Sequence, residues 1–206
     1  MLTKFIFVWV LNWLPLIFSG TIILILIINH LFSSRKYLRF LKKLENTKLI
    51  YILIGATLLF DTVLSILQYV TWHSSPLSRF FLPPYQPINY FLSYILFHFW
   101  LAGLLVLILA LAFYLFFKLA KKYRDDLVSS EELPLILLAG LLVGWPNFII
   151  LVPLFFLLTL IFSVVNLLVF KKKKNTLLYP LIISLVIVFL IGSYLVEHIF
   201  LSALVI

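Results

Sequence analysis

Residues 101–124 read Leu-Ala-Gly-Leu-Leu-Val-Leu-Ile-Leu-Ala-Leu-Ala-Phe-Tyr-Leu-Phe-Phe-Lys-Leu-Ala-Lys-Lys-Tyr-Arg. Leu101 to Phe117 carries no charge, and Lys118, Lys121, Lys122 and Arg124 follow at once. Together with the uncharged residues before it, this run exceeds the roughly 20 apolar residues that cross about 30 Å of hydrocarbon. The pattern of a long apolar run closed by a basic cluster repeats along the chain. Apolar segments lie near 5–32, 49–72, 88–117, 133–151, 154–170 and 176–200. The expected fold is all-α: a polytopic membrane protein, one domain over 1–206, built as a bundle of about six transmembrane helices.

Composition agrees. Of 206 residues, 65% are hydrophobic and 11% charged, against about 45–50% and 25% in a soluble domain. With no cysteine, a disulfide framework, a thiolate metal site and a cysteine nucleophile are excluded. The first segment far exceeds the apolar core of a cleavable signal peptide, and no small-residue cleavage site follows. Between the fourth and fifth segments, Gly144-Trp145-Pro146-Asn147 and Pro153 both offer a turn.

The net charge of +9 takes its meaning from its location. Loops 33–48, 118–132 and 171–175 hold fourteen of the sixteen Lys and Arg residues, leaving Lys4 and Arg79 for the other side. The positive-inside rule then places these loops in the cytoplasm and both termini outside. Alternate-loop partitioning fits contact with anionic lipid and not a nucleic-acid surface. Trp9, Trp13, Trp72 and Trp145 fall near outer ends, as in an interfacial aromatic belt; Trp100 lies inside a span. The proline- and aromatic-rich segment 73–87 reads as irregular and interfacial.

Asp61 is the acid placed deepest in a span. It lies halfway along 49–72, where a charge costs about 2.5–3.5 kcal/mol on insertion scales. Thr57, Asp61, Ser65 and Gln68 share one helical face, which should look into the bundle. His98, ten residues into the next, antiparallel span, reaches a similar depth. Two readings stand: a solute- or proton-handling pair with Ser65 and Gln68 as lining, or a neutral aspartate hydrogen-bonded in the core. The four histidines are scattered without ligand spacing, so no metal is expected, nor any cofactor.

Val128 to Asn147 reads Val-Ser-Ser-Glu-Glu-Leu-Pro-Leu-Ile-Leu-Leu-Ala-Gly-Leu-Leu-Val-Gly-Trp-Pro-Asn. An apolar hairpin, the Lys171–Lys174 cluster and a last helix opening near Tyr179-Pro180 follow. This resembles the C-terminal half of type IV prepilin peptidases, membrane aspartic endopeptidases that trim pilin-like precursors. The likeness is carried by 128–195 and extends in layout over 15–200. That family opens a helix with Gly-x-Gly-Asp-x-Lys-Leu. In the register set by Gly144, its aspartate falls on Glu132, its glycines on Ser129 and Glu131, its lysine on Pro134 and its leucine on Leu135. The first family aspartate, where an earlier helix reaches the cytoplasmic face, matches Asn29, or in another register Asp61.

The resemblance implies a compact relative in a cytoplasmic membrane, without the cysteine-bearing insertion and its methyltransferase activity. Its implied partner is a pilin-like precursor helix, and its catalytic pair is degenerate, with Glu132 and Asp61 as the candidate acids. Asparagine at position 29 cannot exchange a proton as a carboxyl does. Glu131 and Glu132 also suit a helix start, where acids favour the macrodipole. Ser129-x-x-Glu132 spells a capping box, although Pro134 suits a start nearer to itself. Gly140 and Gly144 read as a small-residue pair for close helix packing. Glu197 and His198 are adjacent and point apart near an outer end.

Overall fold

A computed structural model of the chain describes residues 2–33, 46–123, 128–130, 132–168 and 177–198. Its helices are α1 (Leu2–Ser33), α2 (Asn46–Ser74), α3 (Ile88–Tyr123), α4 (Glu132–Val143), α5 (Phe148–Leu168) and α6 (Leu178–His198). Most of the basic loops predicted at 33–48 and 171–175 lies outside the described residues, as does Glu131. Among the described residues four helices, α2, α3, α5 and α6, are long and apolar enough to cross a membrane. Two shorter apolar stretches, Trp13–Ile28 and Glu132–Val143, join them.

The fourth segment corrects the expectation of six equivalent spans. It was predicted over 133–151 but ends at Val143, and the next helix starts at Phe148 and not near 154. The cause is Gly144, which takes φ +72°, a left-handed conformation that terminates helices and that glycine adopts without penalty. The chain then turns quickly: Phe148 N–H donates to Gly144 O at 3.0 Å, and Leu151 N–H to Asn147 O at 3.0 Å. Pro153 sits inside α5, where its ring removes one backbone bond without ending the helix.

At 12 residues, α4 spans only about 18 Å, so its C-terminal turn stops within the bundle. It is apolar on every side, as a central helix must be; eight of its twelve residues are buried. It packs against α2, α3, α5 and α6. A Cβ at Gly140 would lie 2.8 Å from the Ala110 Cβ and 3.0 Å from Phe148 Cε2, so the missing side chain lets α4 approach α3 and the start of α5. Gly144 makes no such contact; the predicted packing pair is one packing glycine and one helix stop. Nearby, Phe155 is fully buried and meets Phe113 and Phe117 edge-on at centroid distances of 5.8 and 5.7 Å.

The exterior is as apolar as the core. Leu59, Ile66, Leu104, Ile108, Leu160 and Leu190 are each more than half exposed, a surface that associates in water and matches lipid chains. Segment 75–87 forms a 3-10 turn, Ser78–Phe81, folded onto α2 and α3. Trp72 packs there with ring centroids 4.7 Å from Tyr94, 5.3 Å from Phe91 and 5.7 Å from Phe81. Trp72 is therefore part of a packed aromatic cap as well as an end marker.

Candidate functional site

The polar face of α2 is split by its surroundings. Ser65 is buried; its hydroxyl donates to Asp61 O at 2.7 Å and accepts Trp100 Nε1–H at 3.2 Å. That second bond joins α2 to the π-helical stretch Leu96–Trp100 inside α3; such insertions occur often at functional sites. Ser65 and Gln68 lie beyond the cavity described next. One turn back, Thr57 and Asp61 open onto it.

This cavity, of about 440 Å³ and partly open, lies between α1, α2, α3, α4 and α6. Asp61 and Thr57 enter from α2, His98 and Gly103 from α3, Ser19 from α1 and Ser193 from α6. Gly144, Trp145 and Asn147, from the turn after α4, close another wall. Irregular backbone at membrane depth is tolerated only where protein covers it or it lines a cavity, and the short α4 delivers it to such a place. Trp145, expected in an interfacial belt, is part of this wall.

Asp61 and His98 thus share a cavity, but no ion pair or hydrogen bond joins them among the described residues. The His98 ring stacks on Tyr94 at 5.1 Å and meets Phe99 edge-on at 5.2 Å. The Asp61 carboxylate lies against Gly103, where any Cβ would collide with Oδ2. Asn147 Oδ1 is buried and has no hydrogen-bond partner among the described residues. Among the described residues no lysine or arginine lines the cavity.

Glu132 occupies a different environment. It is 6% exposed, and its Oε2 accepts the Ser129 N–H at 2.8 Å while Glu132 N–H donates to Ser129 Oγ at 3.3 Å. These reciprocal bonds are those of a capping box, formed despite Pro134, whose missing N–H falls where the first-turn donors are unpaired anyway. Ser130 next to it pairs with Lys121. Glu132 does not line the Asp61 cavity, so the structure does not bring the two candidate acids together. Asn29 belongs to α1, and its side chain lies outside the described residues. Among the described residues no three His, Asp or Glu side chains gather as a metal site. His198 stacks on Tyr194 at 4.0 Å, with Nδ1 2.9 Å from Tyr194 O.

Asn147 and Gly103 were not singled out from sequence. The signal for Asn147 was the Gly-Trp-Pro-Asn interruption of an otherwise apolar stretch; Gly103 gave none.

The long apolar helices and their lipid-matching exterior define a multi-pass helical membrane protein. Comparison with known proteins finds no matching family model, no similar curated protein and no similar solved structure.

Proposed function

We propose that the protein is a small membrane carrier whose Asp61 cavity binds a solute and exchanges protons with it. The observation that carries this reading is the cavity itself: one carboxylate within a spanning helix, opening onto a space walled by five helices and the Gly144–Asn147 turn. Ionisable groups inside spanning segments are costly and mark solute or proton paths. In this reading the basic loops 33–48, 118–132 and 171–175 face the cytoplasm, both termini lie outside, and the membrane is a cytoplasmic one.

The absence of cysteine makes the test clean. Thr57→Cys and Ser193→Cys place single thiols in the cavity while leaving Asp61 intact. A carrier exposes its site alternately, so a membrane-impermeant methanethiosulfonate should modify both variants from either side of proteoliposomes. Modification from neither side, or from one side only, sinks the carrier reading.

The prepilin-peptidase resemblance supplies the competing reading, in which Glu132 and a second acid activate water on a pilin-like precursor. A two-carboxylate site needs its acids close enough to share a proton; Glu132 is engaged by Ser129 and does not share a cavity with Asp61. Leader removal from a co-expressed prepilin, lost in Glu132→Ala, would replace the carrier reading with that one.

A further inference from the structure

We infer that the cavity's ligand is an organic ammonium ion with an apolar, ring-sized body, its charge at Asp61 and a second hydrogen-bond donor at Asn147. This rests on the carrier reading of the cavity and names its substrate class.

Charge comes first. Among the described residues Asp61 is the only acid lining the cavity, and neither Lys nor Arg lines it. Half-buried Asp61 has no cationic side chain beside it among the described lining residues; a bound cation supplies an opposite charge, and a bound anion adds repulsion. A bare divalent ion is poorly served, because it requires several oxygen ligands and the cavity offers one carboxylate.

The body of the ligand follows from the walls. The Phe18 and Phe60 rings stack at 4.1 Å, and Phe99, Trp145 and Phe189 complete an aromatic lining. Aromatic faces attract ammonium groups and pack flat apolar bodies. The volume, about 440 Å³, falls within the range of small-molecule sites.

Asn147 supplies the second anchor. Buried acceptors are nearly always hydrogen-bonded, yet Asn147 Oδ1 has no partner among the described residues. A Cβ at Gly192 would lie 3.0 Å from that oxygen. Gly103 stands in the same relation to Asp61 Oδ2. Two glycines on different helices thus let these oxygens lie close against helix backbone, Asp61 Oδ2 at Gly103 and Asn147 Oδ1 at Gly192.

The test is equilibrium binding to the purified full chain in detergent, with three probes of similar size. Tyramine carries an ammonium and a distal hydroxyl donor, phenethylammonium lacks the hydroxyl, and 3-(4-hydroxyphenyl)propanoate replaces the cation with an anion. The expected order is tyramine, then phenethylammonium, with no binding of the propanoate. Asp61→Asn should weaken tyramine by about 10-fold or more. Asn147→Leu should abolish the preference for tyramine over phenethylammonium. Absence of tyramine binding, equal binding of the propanoate, or an unchanged affinity in Asp61→Asn would overturn the inference. Should a variant fail to fold, the cation-against-anion comparison on the unaltered protein still decides. Thiol access from both sides without probe binding would remove the ligand class and leave the carrier reading. Tyramine binding without two-sided access would remove the carrier reading alone.

Discussion

Replacing Gly103 with alanine is expected to disable the cavity while leaving the bundle folded. A Cβ built at this position overlaps Asp61 Oδ2, lies 3.4 Å from its Cγ and meets nothing else within 4 Å. The conflict is thus confined to the end of one short side chain, which relieves it by rotating. An off-rotamer displacement of about 30° costs about 0.5–1.5 kcal/mol. Against that, alanine in a helix interior is favoured over glycine by about 0.8–1.0 kcal/mol. The two nearly cancel, so stability should change by no more than about 1 kcal/mol, a midpoint shift of about 2–4 °C for a chain of this size. Binding should respond differently, because the carboxylate has left its position. A hydrogen bond to a charged group is worth about 1.5–3 kcal/mol, or about 10- to 150-fold in Kd. The assays are thermal unfolding followed by tryptophan fluorescence and tyramine binding, with Asp61→Asn in parallel. Wild-type affinity in a folded Gly103→Ala protein would refute the assignment of Asp61 as anchor. A fall of more than about 10 °C would refute the claim that the conflict ends at the carboxylate.

Gly140→Ala should behave in the opposite way, because its Cβ would press on the Ala110 Cβ and the Phe148 ring, not on a free side-chain end. Overpacking costs of about 1–3 kcal/mol exceed the helix-propensity gain, and the unfolding midpoint should drop by several degrees with probe affinity per folded molecule unchanged. A double-mutant cycle between Ser65→Ala and Trp100→Phe should report a coupling near the membrane-protein average of about 0.6 kcal/mol; zero coupling would deny the bond across α2 and α3. Ser129→Ala should cost about 1 kcal/mol, the usual loss of a helix cap, measured by unfolding. An unaffected midpoint would mean that Glu132 is free for another role.

Much of the fold is legible because its causes are local. Apolar run length against bilayer thickness locates α2 and α6 to within a few residues of their ends, but places the end of α3 at 117 and not at Tyr123, and the start of α5 at 154 and not at Phe148. The end of α4 was open between Gly144 and Pro153, since glycine and proline both punctuate helices; the positive φ at Gly144 decides it. Of the site, Asp61 and His98 stood out because polar groups deep in a span are rare. Helical periodicity put Thr57, Asp61, Ser65 and Gln68 on one face, and a face is as far as periodicity reaches. Which part of it bonds a neighbour and which lines open space depends on α3: Trp100 bonds Ser65, while Gly103 lets the Asp61 carboxylate lie against the α3 backbone at the edge of the cavity. The Ser129–Glu132 capping box is spelled out in residues three apart, and its geometry follows from the same short range.

Membrane residence and helical class therefore follow from composition and hydropathy, and the order of the basic clusters predicts an orientation. All of these are one-dimensional properties, matched against a solvent slab of known thickness. The cavity has a different origin. It is the space that five helices and one mid-bundle turn leave unfilled, and it depends on where α4 stops. Packing alone brings Asp61, Gly103 and Asn147, drawn from three separate parts of the chain, around one volume.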